Sequence, residues 1–273
     1  MLLAVAGVIG TAAILLLASP RHRAFYLGTA PPERPPSGEP RIVPAVGKAG
    51  LPAAPRPAAT VPRPLLPDAA GRIRIPLSDA MPWRLPVEGV PDGWQLREFA
   101  GRALVDLVRD DGQTALRLKS DHASFALYRD VIVDLAVTPR LAWSWKVTRL
   151  PREGDVRARI TDDQAAQVYV IFPRWPAPLS QSDVIGYVWD SRAPVDTRVT
   201  SPKADNVRVI VVESGAAGAG TWRREVRNVA EDYATAFGGK PPRVGKVALM
   251  IDSNDTRTEA EALFGELTFL PAR

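Results

Sequence analysis

The chain has 273 residues, a formal net charge of +5 and no cysteine. The lack of cysteine excludes disulfides, thiolate nucleophiles and cysteine-ligated zinc. Residues 1–71 hold seven Arg and Lys against three acids, which leaves 28 basic against 27 acidic side chains in the remainder. Because a nucleic-acid module concentrates positive charge on its folded surface, we predict no nucleic-acid partner.

Residues 1–18 form an almost unbroken apolar run, with Thr11 as its one clear polar side chain. This length lies at the lower limit of a membrane span and the upper limit of a signal-peptide core. We therefore predict that residues 1–23 are a signal peptide or membrane anchor, and that the chain is membrane-anchored or secreted to the periplasm. Its orientation stays open, because Arg21 and Arg23 follow the run and the positive-inside rule would keep them cytoplasmic.

Prolines dominate the next segment, with twelve of them between residues 31 and 67. Such a sequence samples polyproline II, lacks the apolar bulk for a core and acts as a semi-rigid spacer. We predict a disordered tether at 24–71, followed by a single folded domain at 72–273.

Beyond residue 71, short apolar and aromatic runs are separated by Gly, Pro and Asp, which is typical of strands and turns. The period of two is clearest where Trp143 and Trp145 fall on one face and Ser144 and Lys146 on the other. That apolar alternation favours a core position for both tryptophans. We predict strands at 94–99, 103–108, 115–119, 124–127, 141–148, 167–172, 185–189, 207–213, 246–251 and 262–269.

Helical signals are rare, and the best one covers residues 228–237. Asn228 suits the N-cap, Glu231 and Asp232 suit the first turn, and Gly238 supplies a stop. Together the elements predict a mostly β fold: a two-sheet antiparallel β-sandwich, jelly-roll-like and similar to carbohydrate-binding modules, with one or two short helices.

Three aromatic side chains are candidates for stacking on a sugar. Trp175 lies in a proline-rich segment and either contacts a ligand or packs against the sandwich. Tyr187 and Trp189 share one face of a strand, which either lines an open groove or belongs to the core. The residue pattern leaves both alternatives open.

The acidic candidates are Asp162 and Asp163 before a strand, Glu225 with Arg227, Asp232 on the helix, and the segment 252–255. Two carboxylates that converge in a cleft would suit glycoside hydrolysis. Oxygen ligands in 252–255 would suit calcium, but we favour an Asx-rich turn there. We predict no metal and no cofactor. A Ser-His-Asp triad would have to use His122, which we predict to be a strand-edge residue.

A set of aromatic, apolar and charged residues within roughly 95–270 carries a further pattern: Leu141, Trp143, Trp145, Lys146, Val147, Leu150, Pro151, Asp162, Asp163, Val168, Tyr169, Val170, Phe172, Tyr187, Trp189, Trp222, Glu225, Arg227, Asn228, Asp232, Tyr233, Phe237, Gly238 and Asp252. This pattern resembles a family of bacterial exported proteins named domain of unknown function 3047. The resemblance implies a self-contained exported domain and assigns no activity. It leaves open whether Arg227 and Asp232 brace the helix or contact a ligand.

The leading functional hypothesis is an exported or membrane-anchored, non-catalytic binding domain for envelope or extracellular polysaccharide. One alternative is a glycan-acting hydrolase or lyase with paired carboxylates, and another is a protein-interaction domain whose partner is an envelope protein. The candidate ligand-binding residues are Asp162, Asp163, Trp175, Tyr187, Trp189, Glu225, Arg227 and Asp232.

Overall fold

The computed structural model of the chain describes residues 65–174 and 182–272. The predicted anchor at 1–23, most of the tether and Trp175 lie outside these ranges. Within them, no helix is both long and apolar enough to cross a membrane. Leu65, which falls in the predicted tether, packs against the hydrophobic core.

The described residues form a β-rich fold with one α-helix and one 3-10 turn at Arg159–Thr161. The elements are β1 (Ile73–Ile75), β2 (Val87–Glu88), β3 (Gln95–Ala100), β4 (Leu104–Asp110), β5 (Gln113–Asp121), β6 (Ser124–Val133), β7 (Arg140–Arg149), β8 (Ala166–Phe172), β9 (Asp183–Asp190), β10 (Arg198–Thr200), β11 (Val207–Ser214), β12 (Arg223–Asn228), α1 (Val229–Phe237), β13 (Val244–Asp252), β14 (Glu259–Phe264) and β15 (Leu267–Leu270).

The strands form two sheets that pack as a sandwich, as predicted. The first sheet has the order β1-β15-β7-β14-β5-β4-β2, with β12 added to β7, and the second has the order β10-β11-β9-β8-β13-β6-β3. The prediction of purely antiparallel pairing needs one correction, because β11 pairs with β9 in parallel. The chain between these two strands turns back through β10, which lets β11 run in the same direction as β9.

The core lies between the two sheets and is built by strict alternation along the strands. In β8, Val168, Val170 and Phe172 are buried in the core, whereas Gln167 and Tyr169 face the other side of the sheet. This division follows from the two-residue period of a strand. It gives the second sheet an inner face that packs in the core and a separate outer face.

Aromatic pairs join the two sheets across the core. The ring of Trp143 on β7 lies 5.2 Å from that of Tyr187 on β9, and Trp145 lies 6.2 Å from Trp189. Rings at these distances add attraction to the burial of their large apolar surface. The prediction that Trp143 and Trp145 belong to the core is confirmed.

Several strands differ from the prediction. The single strand predicted at 262–269 is broken into β14 and β15 at Gly265, whose N–H donates to the carbonyl of Ser144 at 2.8 Å. A side chain at this glycine would collide with the Ser144 hydroxyl, because a Cβ there would lie 2.2 Å from Oγ. The strands β1, β2, β10 and β12 were not predicted: the first three are only two or three residues long, and the sequence of β12 is mostly charged.

The helix prediction is confirmed, with α1 beginning directly after Asn228. The Asn228 side chain accepts a hydrogen bond from the backbone N–H of Glu231 at 3.3 Å, and Gly238 follows the last turn. Both features are the expected caps.

The loops beside the end of β9 depend on one buried carboxylate. Asp190 is fully buried and accepts hydrogen bonds from the backbone N–H groups of Val156, Arg192 and Ala193, at 2.9, 2.8 and 2.6 Å. It thereby holds both the loop that precedes Asp162 and the turn that leaves β9.

We expect Asp190→Ala to lower the free energy of unfolding by about 3 kcal/mol, because three backbone donors, two of them in buried hydrogen bonds, lose their acceptor. Urea denaturation followed by circular dichroism measures the change. Asp190→Asn, which keeps one acceptor oxygen, should lose less. Equal stability of the alanine variant and the wild type would contradict this role of Asp190.

Candidate functional site

The outer face of the second sheet carries a cleft with a volume of about 600 Å³. A cavity of this size suits a small ligand or a segment of a polymer. Its floor is formed by outward-facing side chains of β3, β6, β8, β9, β11 and β13, and its walls by the loops at 162–164, 201–206 and 252–255. The cleft is therefore an open trough across several strands.

A row of aligned residues crosses this floor from strand to strand. Tyr128 on β6 pairs with Ala248 on β13, Ala248 pairs with Tyr169 on β8, and Tyr169 pairs with Gly186 on β9. Val209 on β11 continues the row beyond Gly186. Residues in register share a face of the sheet, so two tyrosines stand on one line with a small residue between them.

Gly186 makes room for the ring of Tyr169. A Cβ placed on Gly186 would lie 2.5 Å from Cε1 of Tyr169 and 3.0 Å from Cδ1, so the ring lies over this glycine. The phenol hydroxyl donates to Oε1 of Gln167 at 2.6 Å and is fixed in place. The ring thus rests against the sheet and offers its other side to the cleft.

One end of the cleft is acidic and is bridged by a single lysine. Lys203 Nζ lies 2.5 Å from Oδ2 of Asp255, 3.7 Å from Oδ2 of Asp252 and 3.8 Å from Oδ2 of Asp162. It also donates to the backbone carbonyl of Asp162 at 3.0 Å. The amine therefore neutralises much of the negative charge and ties the loop before β11 to the loop after β13.

Asp163 lies directly behind this end of the cleft and is fully buried. Its Oδ2 accepts from both the backbone N–H and the hydroxyl of Thr256 at 2.6 Å, and its Oδ1 accepts from the N–H of Asp255 at 3.2 Å. These bonds stabilise the loop after β13. Asp163 is thus a residue that holds the wall of the cleft, and it is not exposed to a ligand.

Asp252 is 4% exposed, and burial raises its pKa to about 8, with a further contribution from the negative charge and hydrogen bonding of Asp163. Lys203 opposes this rise. The Asp252 carboxyl is consequently protonated at neutral pH. Burial likewise raises the pKa of Asp162.

The candidate residues named from sequence fall into two separate groups. Asp162 lines the cleft, with Asp163 behind it. Tyr187 and Trp189 are fully buried and face the core, which corrects their assignment as stacking residues. Trp175 lies outside the described residues.

Glu225, Arg227 and Asp232 belong to the second group, on the inner side of the sandwich. Glu225 accepts a hydrogen bond from Nε1 of Trp145 at 3.3 Å, and burial raises its pKa. The structure does not place these three residues among those that line the cleft. A ligand bound in the cleft would not contact them, since Glu225 and Arg227 are half-buried on β12 and Asp232 is buried on α1.

The carboxylate of Asp232 joins the helix to both sheets. It accepts from Nε and Nη2 of Arg227 at 3.0 and 2.6 Å, from the Tyr187 hydroxyl at 3.0 Å and from Nη1 of Arg198 at 3.2 Å. Arg227 lies on β12, whereas Tyr187 and Arg198 lie on β9 and β10. Of the two alternatives left open by the sequence, the geometry favours the brace.

Several residues of the cleft were not identified from the sequence. Tyr128, Tyr169 and Gln167 occupy the positions between the core residues of their strands, so the same alternation that identifies the core also marks them. Lys203 had no such signal, because it comes from a turn and reaches the site only through folding.

Among residues 65–174 and 182–272, no group of three or more His, Cys, Asp or Glu side chains is arranged to hold a metal ion. A turn lies at residues 254–257, directly after β13, and the N–H of Asn254 donates to Oδ1 of Asp252 at 3.3 Å. Both Asp252 and Asp255 face Lys203.

Fold and cleft together define a β-sandwich domain with a ligand-sized trough on the outer face of one sheet. The chain belongs to the family described as Protein of unknown function (DUF3047), whose sequence pattern matches residues 92–268. This confirms the resemblance seen in the sequence. No curated protein matches the chain.

Three solved structures similar to this chain are glycoside hydrolases. They are the hydrolase domain of Endo-D from Streptococcus pneumoniae R6 (14% identity, TM-score 0.32, 65% of this chain and 21% of that chain), endoglucanase cel12A from Rhodothermus marinus (11%, 0.40, 67% and 98%) and the xyloglucanase domain of NopAA from Sinorhizobium fredii (10%, 0.37, 66% and 94%). This chain spans about a fifth of the length of the first. The function must therefore be argued from the residues of its own cleft.

Removal of the Asp232 carboxylate should destabilise the fold strongly. We expect Asp232→Ala to cost about 3 kcal/mol of unfolding free energy, because Arg227 is left partly buried without its partner. Arg198→Ala, which removes a half-exposed partner of the same carboxylate, should cost less than about 1 kcal/mol. Urea denaturation of both variants measures this, and similar losses would contradict a bracing role centred on Arg227.

The raised pKa of Asp252 predicts a dependence of stability on pH. Between its ordinary pKa of 3.8 and about 8, the folded protein retains a proton that the unfolded chain has released. The contribution of Asp252 is therefore fully present at low pH, falls as pH rises through this window and is lost above it.

We expect Asp252→Asn, which mimics the protonated carboxyl, to lose less stability than the wild type from pH 5 to pH 8, by up to about 1.4 kcal/mol per unit. Urea denaturation at several pH values measures the two slopes. The exposed Asp205 provides a matched control, because Asp205→Asn should keep the wild-type slope. Parallel curves for wild type and Asp252→Asn would refute the assignment.

Proposed function

We propose that this domain is a non-catalytic module that binds a glycan in the cleft on the outer face of its second sheet. The observation that carries the proposal is the line of Tyr128 and Tyr169 across a mostly uncharged floor, with Arg97 at its β3 side and polar groups along the walls. A sugar ring presents an apolar C–H face and a rim of hydroxyls, and this floor and these walls complement both.

The orientation of Tyr169 supports stacking in particular. The ring lies over Gly186, and its hydroxyl is hydrogen-bonded to Gln167. The side chain is therefore already ordered, so it loses little conformational freedom when a sugar packs on it. Tyrosine combines a large apolar face with a polar tip, which suits a ligand that is part apolar and part hydroxylated. Gln164 and Asn206 add amide groups to the walls, and Gln167 adds one to the floor.

The predicted N-terminal segment and tether supply the biological setting of this proposal. An anchor or signal at 1–23 and a proline-rich spacer at 24–71 would place the domain in the envelope or outside the cell. The ligand would then be an envelope or extracellular polysaccharide.

A glycan-acting enzyme is the second candidate, and the raised pKa of Asp252 favours it. A carboxyl that is protonated at neutral pH can act as a general acid, and Asp162 lies close enough to share Lys203 with it. However, the amine of Lys203 lies between the two carboxyl groups, where a hydrolase needs the scissile bond or a water. The geometry therefore favours binding without turnover.

We expect Tyr169→Ala to weaken glycan binding by at least about fivefold, since one stacked ring is worth on the order of 1 kcal/mol or more. A glycan array with the full-length chain identifies the ligand, and isothermal titration calorimetry measures the loss. Trp83→Ala is the matched control: Trp83 is 93% exposed and does not line the cleft, so this variant should bind like the wild type. Equal losses would contradict a site in the cleft.

Incubation of the bound glycans with the protein, followed by an assay for new reducing ends or unsaturated products, separates the two candidates. Absence of product supports a binding module. Product that disappears in Asp252→Asn would move the assignment to an enzyme, whereas a protein that binds no glycan would point to an envelope protein as its partner.

A further inference from the structure

A second cavity lies on the outer face of the first sheet, away from the cleft. Its volume is about 520 Å³, and its lining includes Arg72, Arg74 and Arg224, which give it the name arginine trough. We infer that the arginine trough is a second binding site, which takes the carboxylate groups of an acidic polysaccharide. The inference does not rest on the proposed function, because no residue that lines the cleft also lines the trough.

The shape of the trough follows from the register of four adjacent strands. Arg74 on β1 is aligned with Thr268 on β15, which is aligned with Ala142 on β7. Ala142 is in turn aligned with Val226 on β12. Aligned residues share a face of the sheet, and Ala142 alternates along β7 with core residues, so this row points away from the core. The short side chains of Thr268 and Ala142 leave a recess between β1 and β12.

Arginine side chains stand on both sides of this recess. Arg224 on β12 is aligned with the short Ser144 on β7, whereas Arg72 and Arg74 lie at β1. Among the described residues that line the trough, Glu266 is the one acid. The chain beyond residue 71 carries nearly as many acidic as basic side chains, so three arginines against one carboxylate are a local excess of positive charge.

The three arginines differ in how closely a carboxylate already pairs with them. Asp68 lies outside the lining, and its Oδ2 lies 2.8 Å from Nε of Arg72 but 3.7 Å from Nε of Arg74. The side chain of Arg74 is 56% exposed. Arg224 is exposed as well and forms no ion pair within residues 65–174 and 182–272. An anion can therefore bind Arg224 and Arg74 without first breaking a close ion pair.

The other side chains of the lining favour a saccharide as the carrier of this anion. Ser144 and Thr268 contribute hydroxyls and Gln113 contributes an amide, which are suitable hydrogen-bond partners for sugar hydroxyls. The half-exposed Val226 offers apolar surface to the C–H groups of a sugar ring. Because a guanidinium binds a carboxylate through two parallel hydrogen bonds, the arginines add selectivity for an acidic sugar.

Other anionic polymers fit the trough less well. An acidic peptide could not add a strand there, because the backbone of β7 is already paired with β12 and β15 on either side. Trp143 is the one aromatic residue in the described lining, and its ring packs against Tyr187 in the core. The bases of a single-stranded nucleic acid would therefore find no ring to stack on. A membrane surface is flat and would not enter the recess.

The test is isothermal titration calorimetry of the full-length chain, in a non-ionic detergent without a sugar headgroup, with hexagalacturonate as the probe. We expect Arg224→Gln to weaken the binding of hexagalacturonate by at least about fivefold, because a charge-assisted pair of hydrogen bonds is lost. Arg224→Lys should restore only part of the affinity, since it keeps the charge without the planar fork. Binding should also weaken as salt is added, because the trough is open to solvent.

Two control variants locate the effect. Arg102→Gln removes the same charge from an exposed position in the loop between β3 and β4 that lines neither cavity, and it should bind hexagalacturonate like the wild type. Tyr169→Ala, which alters the cleft, should also leave this affinity unchanged. Circular dichroism checks that each variant is folded, and Arg74→Gln provides a second variant of the trough with the same expected loss as Arg224→Gln.

Three results would overturn the inference. The first is an absence of hexagalacturonate binding, and the second is an affinity that falls as much in Arg102→Gln or Tyr169→Ala as in Arg224→Gln. The third is equally tight, Arg224-dependent binding of hexaglutamate, of a single-stranded oligothymidylate or of phosphatidylglycerol vesicles, which would assign the trough to a peptide, a nucleic acid or a membrane. Each result leaves the glycan-binding function of the cleft to its own test with Tyr169→Ala and the glycan array.

Discussion

The contact between the aromatic rings of the two sheets is the interaction on which the rest of the structure depends. Trp143 against Tyr187 and Trp145 against Trp189 fix which face of β9 points inward. Because strands alternate, that choice also fixes the outer face of β8 and β13, where Tyr169, Gln167 and Asp252 are found. The packing of the core therefore determines which side chains line the cleft.

The sequence predicted the fold better than the site, and the reasons differ from element to element. Strands with apolar residues at alternate positions were found because their pattern matches the period of the backbone. The strand β12 was not found, because its inward positions hold the charged residues Glu225 and Arg227. Their hydrogen-bond partners, Trp145 and Asp232, lie outside the strand. The local sequence pattern of a strand does not reveal partners of this kind.

There is a specific physical reason why the sequence did not show whether Tyr187 and Trp189 face the core or an open groove. β9 is apolar on both sides, because Val188 on its outer face is covered by Val156 and Val209 in a small cluster of its own. The two-residue period of the strand then shows that Tyr187 and Trp189 share a face, but it does not show which face of β9 points to the core. By contrast, Tyr169 alternates with three fully buried aliphatic or aromatic residues, and its outward position was already contained in the sequence. The acidic end of the cleft could not be predicted in this way, because it is assembled from three loops that are distant in sequence.

Gly186 lies on β9, a strand whose side chains are constrained on both faces of the sheet. This limits which substitutions the protein can accept over evolutionary time. On one side, Tyr187 and Trp189 fill the core, and on the other, Gly186 must stay bare so that the ring of Tyr169 can lie over it. Most strands of a sandwich have one side on which substitutions drift freely. Here neither side is free, so β9 should be the slowest-changing strand of the domain, and divergence around the cleft should be found in the surrounding loops.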